Sequence, residues 1–271
     1  MPDQKQFIDD PVPKAFSKQA MHYDQDDNTN PILVSWRKQV YRHVDQFIKP
    51  GSRILELNAG TGIDALRFVQ AGHSVLATDK APGMIQKIHQ KIEQSGLSEK
   101  FHTKLCSFES LNDLREKNFD YVFSNFGGLN CSKNIALVTQ HLPALLKKGA
   151  YVTWVIMPPV SLWELSWILK GNKAAFRRFK KQGAIAHLEG EYFTTYYHSL
   201  ADLKKAFGKE FTLIKVEGLG SVSPQPSSQA FIAKHPTIHA FLNSVDGAVR
   251  NIFPFNRWAD HIIVTFKFTG L

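Results

Sequence analysis

The stretch RILELNAGTGIDAL, residues 53–66, decides the fold. "RILEL" is a short apolar run of the kind a strand buried on both faces requires. Small residues follow, Asn58 to Gly62, and then "GIDALRFVQAG" carries apolar residues at helical spacing up to Gly72. A strand–turn–helix of this kind lets the backbone approach a ligand closely. It also aims free N–H groups and the positive end of the helix dipole at that ligand.

Alternation continues outward from this unit. "HSVLATD" reads as a second strand and "PGMIQKIHQKIEQSG" as a second helix ending at Gly96. "FHTKLCSF" and "FDYVFSNF" are the next strands. "NIALVTQHLPALLKKG" is expected as one helix, and "AYVTWVIM" as another strand. Such alternation builds a parallel sheet with helices on both faces. Upstream, 1–30 is a polar arm with a helical piece around "KAFSKQAMHYD", and 32–48 is a helix stopped by Pro50-Gly51. After Pro158-Pro159 the pattern breaks. "SLWELSWILKGNKAAFRRFKK" is expected as one or two amphipathic helices and "GEYFTTYYHS" as an extended piece. "LADLKKAFG" is expected as a helix, "FTLIKVEGLG" as a strand, "SVSPQPSSQ" as a loop, 236–251 as helical and "HIIVTFKF" as the final strand. The expectation is one domain over 1–271, comprising an arm and helix at 1–50, a core at 51–157, and cap segments at 158–198 and 220–258.

At 43% hydrophobic and 21% charged, the chain has the composition of a globular protein. Its net charge of +9 favours anionic partners without choosing among them. Two cysteines, Cys106 and Cys131, are too few for a disulfide framework, and no metal-ligating spacing is present. The longest apolar stretch, "AYVTWVIMPPV", is too short for a bilayer span, and the polar N-terminus does not read as a secretory signal, so a cytoplasmic location is expected.

Gly60-Thr61-Gly62-Ile63-Asp64-Ala65 fits the G-x-G-x-x-A dinucleotide fingerprint, and Asp79 ends the next strand, where an acid can hold a ribose diol. Nicotinamide dinucleotides and S-adenosylmethionine both present such a ribose. Glu56 separates them, because a carboxylate before the turn repels a pyrophosphate and attracts an α-ammonium group beside a sulfonium. Asp79 also suits a helix N-cap, and Met84 and Phe108 also suit plain core.

Glu56-Leu57-Asn58-Ala59-Gly60-Thr61-Gly62 resembles the E/DxGxGxG motif of class I S-adenosylmethionine-dependent methyltransferases. "FSKQAMHYD" is similar to the arm that closes over the cofactor in the menaquinone- and biotin-pathway type of small-molecule methyltransferase. "TDKAPGMI", "CSFESL", "FDYVFSNFGGLN" and "LLKKGAYVTWVIMP" resemble the later motifs in order. The first glycine of the family motif is Asn58 here, a residue that tolerates the left-handed conformation. The usual acid of the third motif is replaced by Ser107, beside Phe108. The resemblance implies a Rossmann-like, doubly wound α/β fold with a mostly parallel seven-stranded sheet, an antiparallel last strand and helical cap insertions. It implies S-adenosylmethionine as cofactor, held by Tyr23, Glu56, Asn58, Ala59, Gly60, Thr61, Gly62, Asp79, Lys80, Met84, Ser107, Phe108, Asn125, Phe126 and Gly127.

Transfer from an activated sulfonium mainly needs alignment and exclusion of water, with a base only where the nucleophile arrives protonated. Asn125-Phe126-Gly127-Gly128 lacks the prolines of the D/N-P-P-Y/F motif of nucleobase and glutamine-amide methyltransferases, which points to a small-molecule acceptor. His198 is the first candidate base, with Tyr197 and His187 behind it, and Glu164 and Tyr196 are further polar candidates. Aromatic residues from Trp163 to Tyr197 suggest a lipophilic or aromatic acceptor, methylated on oxygen or carbon. The basic run at 170–181 reads as a solvated face, a site for an anionic group or carrier protein, or a peripheral membrane contact. RNA or a carrier-tethered acceptor, or a non-catalytic cofactor-binding role, are the rival readings. Nucleic acid is not expected.

Overall fold

The computed structural model describes residues 10–270, apart from the side chains of 169 and 170. The sequence readings at 1–9 and of the Lys170 side chain lie outside the described residues. Nine strands are present among the described residues: β1 (Arg53–Leu57), β2 (Ser74–Asp79), β3 (Phe101–Leu105), β4 (Phe119–Ser124), β5 (Leu146–Ile156), β6 (Ala184–Leu188), β7 (Glu191–Thr195), β8 (Phe211–Leu219) and β9 (His261–Phe268). Seven form one sheet in the order β3-β2-β1-β4-β5-β9-β8, and β6-β7 is a separate hairpin. β9 runs antiparallel to both neighbours and the other adjacent pairs are parallel, as the resemblance implied.

The parallel strands are apolar throughout because both faces are covered. One face is packed by α3 (Pro31–Val44), α4 (Ile63–Gln70) and α5 (Pro82–Ser95), through Trp36, Val40, Phe68 and Ile88. The opposite face is packed by α6 (Ala136–Thr139), α7 (Leu142–Leu145) and α9 (Leu200–Phe207), through Val138, Leu142, Leu203 and Phe207. The arm forms α1 (Pro11–Gln19) and α2 (Tyr23–Thr29). Asp10 caps α1 and Asn30 caps α3, each accepting from the backbone N–H two residues on, and each helix opens on the proline that follows its cap.

Three expectations need correction. The helix expected over 134–149 is two single turns, α6 and α7. Pro143 cannot donate to the helical ladder, and β5 begins four residues earlier than read, at Leu146. The amphipathic helices expected over 161–181 are one α turn, α8 (Leu162–Leu165), and two 3₁₀ stretches broken at Gly171, which is left-handed at φ +68°. The extended piece 190–199 is half of the β6–β7 hairpin. Its two-residue turn, Glu189-Gly190, has φ of +50° and +79°, the backbone sign that matches strand twist. Two helices, α10 (Gln229–Lys234) and α11 (Pro236–Val249), lie between β8 and β9.

Candidate active site

The loops that leave the carboxyl ends of β1, β2, β3, β4 and β5 meet at one edge of the sheet, where open α/β sheets bind ligands. They floor a cleft of about 230 Å³ with Asn58 and Gly60, Asp79 and Lys80, Phe108, Asn125 to Gly128, and Met157. Its other walls are Val12, Phe16 and Tyr23 of the arm, Met84 of α5, Cys131, and Phe193 and Thr195 of β7.

The turn after β1 is held by backbone geometry that its sequence permits. Asn58 is left-handed at φ +44°, followed by Gly60 at +57° and Gly62 at +80°. The Asn58 amide bridges two loops: its oxygen accepts from the Ser124 hydroxyl at 2.6 Å and its nitrogen donates to the Asn125 carbonyl at 3.2 Å. A glycine in that position would leave both groups unbridged. Gly128 is the counterpart, since a Cβ there would overlap the Asn58 amide. Gly62 starts α4 with its Cα against Ile88, where a Cβ would come within 3.0 Å of the isoleucine Cγ1.

Asp79 accepts from the Gly60 N–H at 2.9 Å and the Ala81 N–H at 2.8 Å, so it fixes the glycine loop and starts α5 at once. Burial pushes its carboxyl up to about 6, against those two N–H groups, which favour the charged form. Glu56 stands at the end of β1, buried, and does not line the cleft. Burial drives its carboxyl well above the usual range, and the charge of Asp64 adds to that. Its Oε2 has no hydrogen-bond partner.

Behind the cleft lies a network that sequence reading missed. Arg37 of α3 donates from Nε and Nη2 to the two oxygens of Asp27 (3.0 and 2.7 Å) and from Nη1 to Asp64. Tyr41 donates to the same Asp64 oxygen, and Asn125 donates to the other at 2.9 Å. Arm, glycine loop and the loop after β4 are thereby tied to one guanidinium. Burial opposes charge on Asp64, and the Arg37 charge overcomes it and lowers that carboxyl below its ordinary range. Two buried carboxylates, Asp27 and Asp64, thus face one buried guanidinium, with Glu56 beside them held toward its neutral form, a balance that a cationic ligand group would shift toward ionised Glu56.

Of the residues expected to hold the cofactor, Tyr23, Asn58, Gly60, Asp79, Lys80, Met84, Phe108, Asn125, Phe126 and Gly127 line the cleft. Glu56, Ala59, Thr61, Gly62 and Ser107 lie outside that lining. Ala59 donates to the Thr78 carbonyl at 2.9 Å, and the Thr61 hydroxyl donates to Asp24 of α2. Ser107 accepts from the Glu109 N–H at 3.2 Å, holding a turn that leaves Phe108 facing the cleft.

The three candidate bases are not brought to it. His198 is buried with Nε2 on the Ser132 carbonyl at 2.9 Å, and burial lowers its pKa. His187 is exposed on β6, its ring centroid 4.5 Å from that of Tyr192. Tyr197 lies under the Arg178 guanidinium, 5.2 Å from its ring centroid. Tyr196 ties its backbone N–H to the Asn130 carbonyl at 2.7 Å. Glu164 is buried in ion pairs with Arg177 and Arg178, so Arg178 turns inward while Arg177 reaches the carboxylate from an exposed position on the basic run. These side chains were chosen for local composition, whereas the cleft is assembled from strand ends remote in sequence.

Residues 54–149 match a family model described as a methyltransferase domain. Over 219 residues the chain is 24% identical to the biotin biosynthesis bifunctional protein BioHC of Teredinibacter turnerae, covering 72% of this chain and 37% of that protein. The chain therefore spans little more than a third of that relative's length. Two solved structures share the fold. One is an S-adenosylmethionine-dependent methyltransferase from Clostridium acetobutylicum (TM-score 0.60, 12% identity, 93% of this chain and 98% of that one). The other is the Burkholderia thailandensis 1,6-didemethyltoxoflavin-N1-methyltransferase, solved with its namesake compound and S-adenosylhomocysteine bound (TM-score 0.56, 14% identity, 96% and 88%). The chain thus carries a match to a methyltransferase domain over residues 54–149, set in a fold that it shares with S-adenosylmethionine-dependent methyltransferases of known structure.

Proposed function

We propose that the protein methylates a small lipophilic or aromatic metabolite on oxygen or carbon, using S-adenosylmethionine held in the cleft. The observation that carries this reading is the closure of the cleft by α1 and β7. Val12, Phe16, Phe193 and Thr195 stand against the strand ends and cover the cleft of about 230 Å³ from the side opposite the sheet, which favours a compact acceptor over a polymer. The absence of prolines in Asn125-Phe126-Gly127-Gly128 supports the same conclusion.

Within this reading Asp79 accepts from the ribose hydroxyls with the lone pairs its backbone contacts leave free. Phe108 and Met84 flank the adenine, and Tyr23, Asn58, Asn125 and Phe126 surround the methionine end. The ionised carboxylates behind the loop, Asp64 above all, supply negative field for a sulfonium and an ammonium, and a bound cation would draw the buried Glu56 toward its charged form. Ala59, Thr61, Gly62 and Ser107 act through the backbone shape they hold. Bound S-adenosylmethionine supplies an electrophilic methyl group, and the chain aligns the acceptor and excludes water.

Calorimetric titration with S-adenosylmethionine and, separately, with NAD tests the reading on the wild type and on Asp79→Ala. Tight S-adenosylmethionine binding that drops at least tenfold in Asp79→Ala is expected, together with cofactor turnover on small-molecule pools free of protein and RNA. Binding of NAD alone, or turnover only when RNA or a carrier protein is added, would overturn it.

A further inference from the structure

A second cavity, of about 210 Å³, adjoins the cleft and shares Tyr23 and Phe126 with it. Its walls include Trp36, Leu33 and Pro226, with the carboxylates of Asp26 and Asp27 on the arm side, where His22 and Arg37 pair them, so an aromatic and apolar face meets an acidic rim. Besides the Tyr23 hydroxyl, two polar side chains in its lining lack hydrogen-bond partners among the described residues. Gln19 has a buried side-chain oxygen with no hydrogen bond, and the His261 ring makes none among the described residues.

His261 reaches this place because β9 is the reversed strand of the sheet. The first residue of an antiparallel strand lies at the same edge as the last residue of its parallel neighbours. The pairing Ile156↔Ile262 therefore sets His261 beside the loops that floor the cleft. Its ring is held edge-on between Trp36 (5.7 Å between centroids) and Phe126 (6.2 Å). Nε2 faces the loop after β4, so that a Cβ on Gly127 would come within 3.1 Å of it. On the other side, Asp260 Oδ2 is 2.9 Å from Nδ1, a close electrostatic contact rather than an aligned hydrogen bond. Burial alone would raise the Asp260 carboxyl, but Arg178, whose Nη2 donates to Oδ1 at 2.6 Å, and His261 itself hold it at about 2. A permanent carboxylate beside Nδ1 favours the tautomer protonated there, which leaves the Nε2 lone pair for the cavity.

From this geometry we infer that the second cavity is the acceptor site, that it takes a flat aromatic or conjugated molecule bearing a hydroxyl, and that His261 is its general base. Asp260 is then a positioning residue that sets the imidazole tautomer. This rests on the methyltransferase reading. The acceptor's proton passes to Nε2 as its oxygen forms the bond to the methyl carbon. The breaking sulfur–carbon bond leaves its electron pair on sulfur, and the imidazolium later releases its proton to water. Gln19 Oε1 receives a second donor on the acceptor, where one is present.

The test uses the full chain, wild type and His261→Gln, with 2-naphthol as probe at saturating S-adenosylhomocysteine. S-adenosylhomocysteine affinity, measured first by calorimetry, should be the same in both proteins, which also shows that the variant is folded. 2-Naphthol should bind the wild type at least tenfold more tightly than the variant. 2-Methoxynaphthalene, which lacks the donor, should bind both alike. Nitrogen-15 spectra of histidine-labelled protein at pH 7.5 should show the His261 proton on Nδ1. An Asp260→Asn variant should shift that proton toward Nε2, an effect that loss of packing alone does not produce. Equal 2-naphthol affinity in the two proteins, or a wild-type proton on Nε2, overturns the base. Failure of both naphthalenes to bind overturns the aromatic acceptor site. If the wild type does not bind S-adenosylhomocysteine, the cofactor reading itself fails.

Discussion

Replacing Arg37 by methionine keeps the aliphatic stem and removes the charge that Asp27 and Asp64 face. Both carboxylates remain buried, beside a Glu56 that already resists ionisation. Breaking a buried ion pair from one side typically costs about 3–5 kcal/mol, because the surviving charge is left uncompensated. Arg37→Met should lower the unfolding free energy by about that amount in urea titrations. A loss below about 1 kcal/mol would mean the network is not closed from water. Asp79 carries a different prediction. Its carboxyl stands at about 6 in the free protein, and ribose hydroxyls donate to the charged form, so protonation competes with the ligand. S-adenosylhomocysteine affinity should be flat above pH 7 and fall roughly tenfold by pH 5, the ratio set by a group of that pKa. Asp79→Asn should bind weakly at both pH values, with the pH dependence gone. An unchanged pH slope in Asp79→Asn would assign the titration to another group.

Closure of the cleft depends on how α1 meets the β6–β7 hairpin. Lys14 and Lys18 both reach Glu191 Oε1, at 2.9 and 2.7 Å, and His22 Nε2 lies 3.1 Å from Glu189. Phe16 and Phe193 meet beneath them, with centroids 5.9 Å apart. The ion pairs are solvent-facing and weak one by one, so they are the contacts that would yield first if α1 and the hairpin part for ligand exchange. Glu191→Lys turns two attractions into repulsions at a residue outside the cleft lining. It should speed hydrogen exchange across Pro11–Gln19 and raise the S-adenosylhomocysteine off-rate several-fold, while the global unfolding midpoint stays put. An unchanged off-rate would place the exit route elsewhere. The strand–helix alternation and the glycine loop were legible in the sequence because buried parallel strands are continuously apolar and their turns carry glycine. The hairpin was half legible. "AIAHL" has no clean alternation, and the two-residue turn that fixes the register puts a non-glycine residue, Glu189, in the left-handed region. His261 was not legible as a site residue: the resemblance implied an antiparallel last strand, but nothing in "HIIVTFKF" shows that its first side chain reaches the edge where the cleft lies. The histidines chosen from composition, His187 and His198, belong to other surroundings for the same reason.

At the scale of the molecule, we propose that the arm, the core and the segments after Pro159 form one cooperative unit. Each hydrophobic cluster spans elements distant in sequence. Trp36 joins Val155, Leu219 and Ile263 on one face of the sheet, and Leu55 joins Leu203 and Phe266 on the other. The Arg37 network and the Arg178–Asp260 pair then tie the arm and the post-159 segment to strand ends of the same sheet. Calorimetric unfolding should therefore show a single transition. A ligand that bridges arm, core and hairpin should move that transition as a whole, since it binds only when all three are in place. At a free concentration of 100 times Kd, S-adenosylhomocysteine adds about 2.7 kcal/mol to the folded state. For a domain near this size that corresponds to a rise of about 5–10 °C in Tm. At the same ligand concentration the shift should fall to about half or less in Asp79→Ala, as a tenfold or greater loss of affinity requires. Two transitions, with only the first moved by ligand, would show that the arm and hairpin fold apart from the sheet and that closure is a separate step from folding.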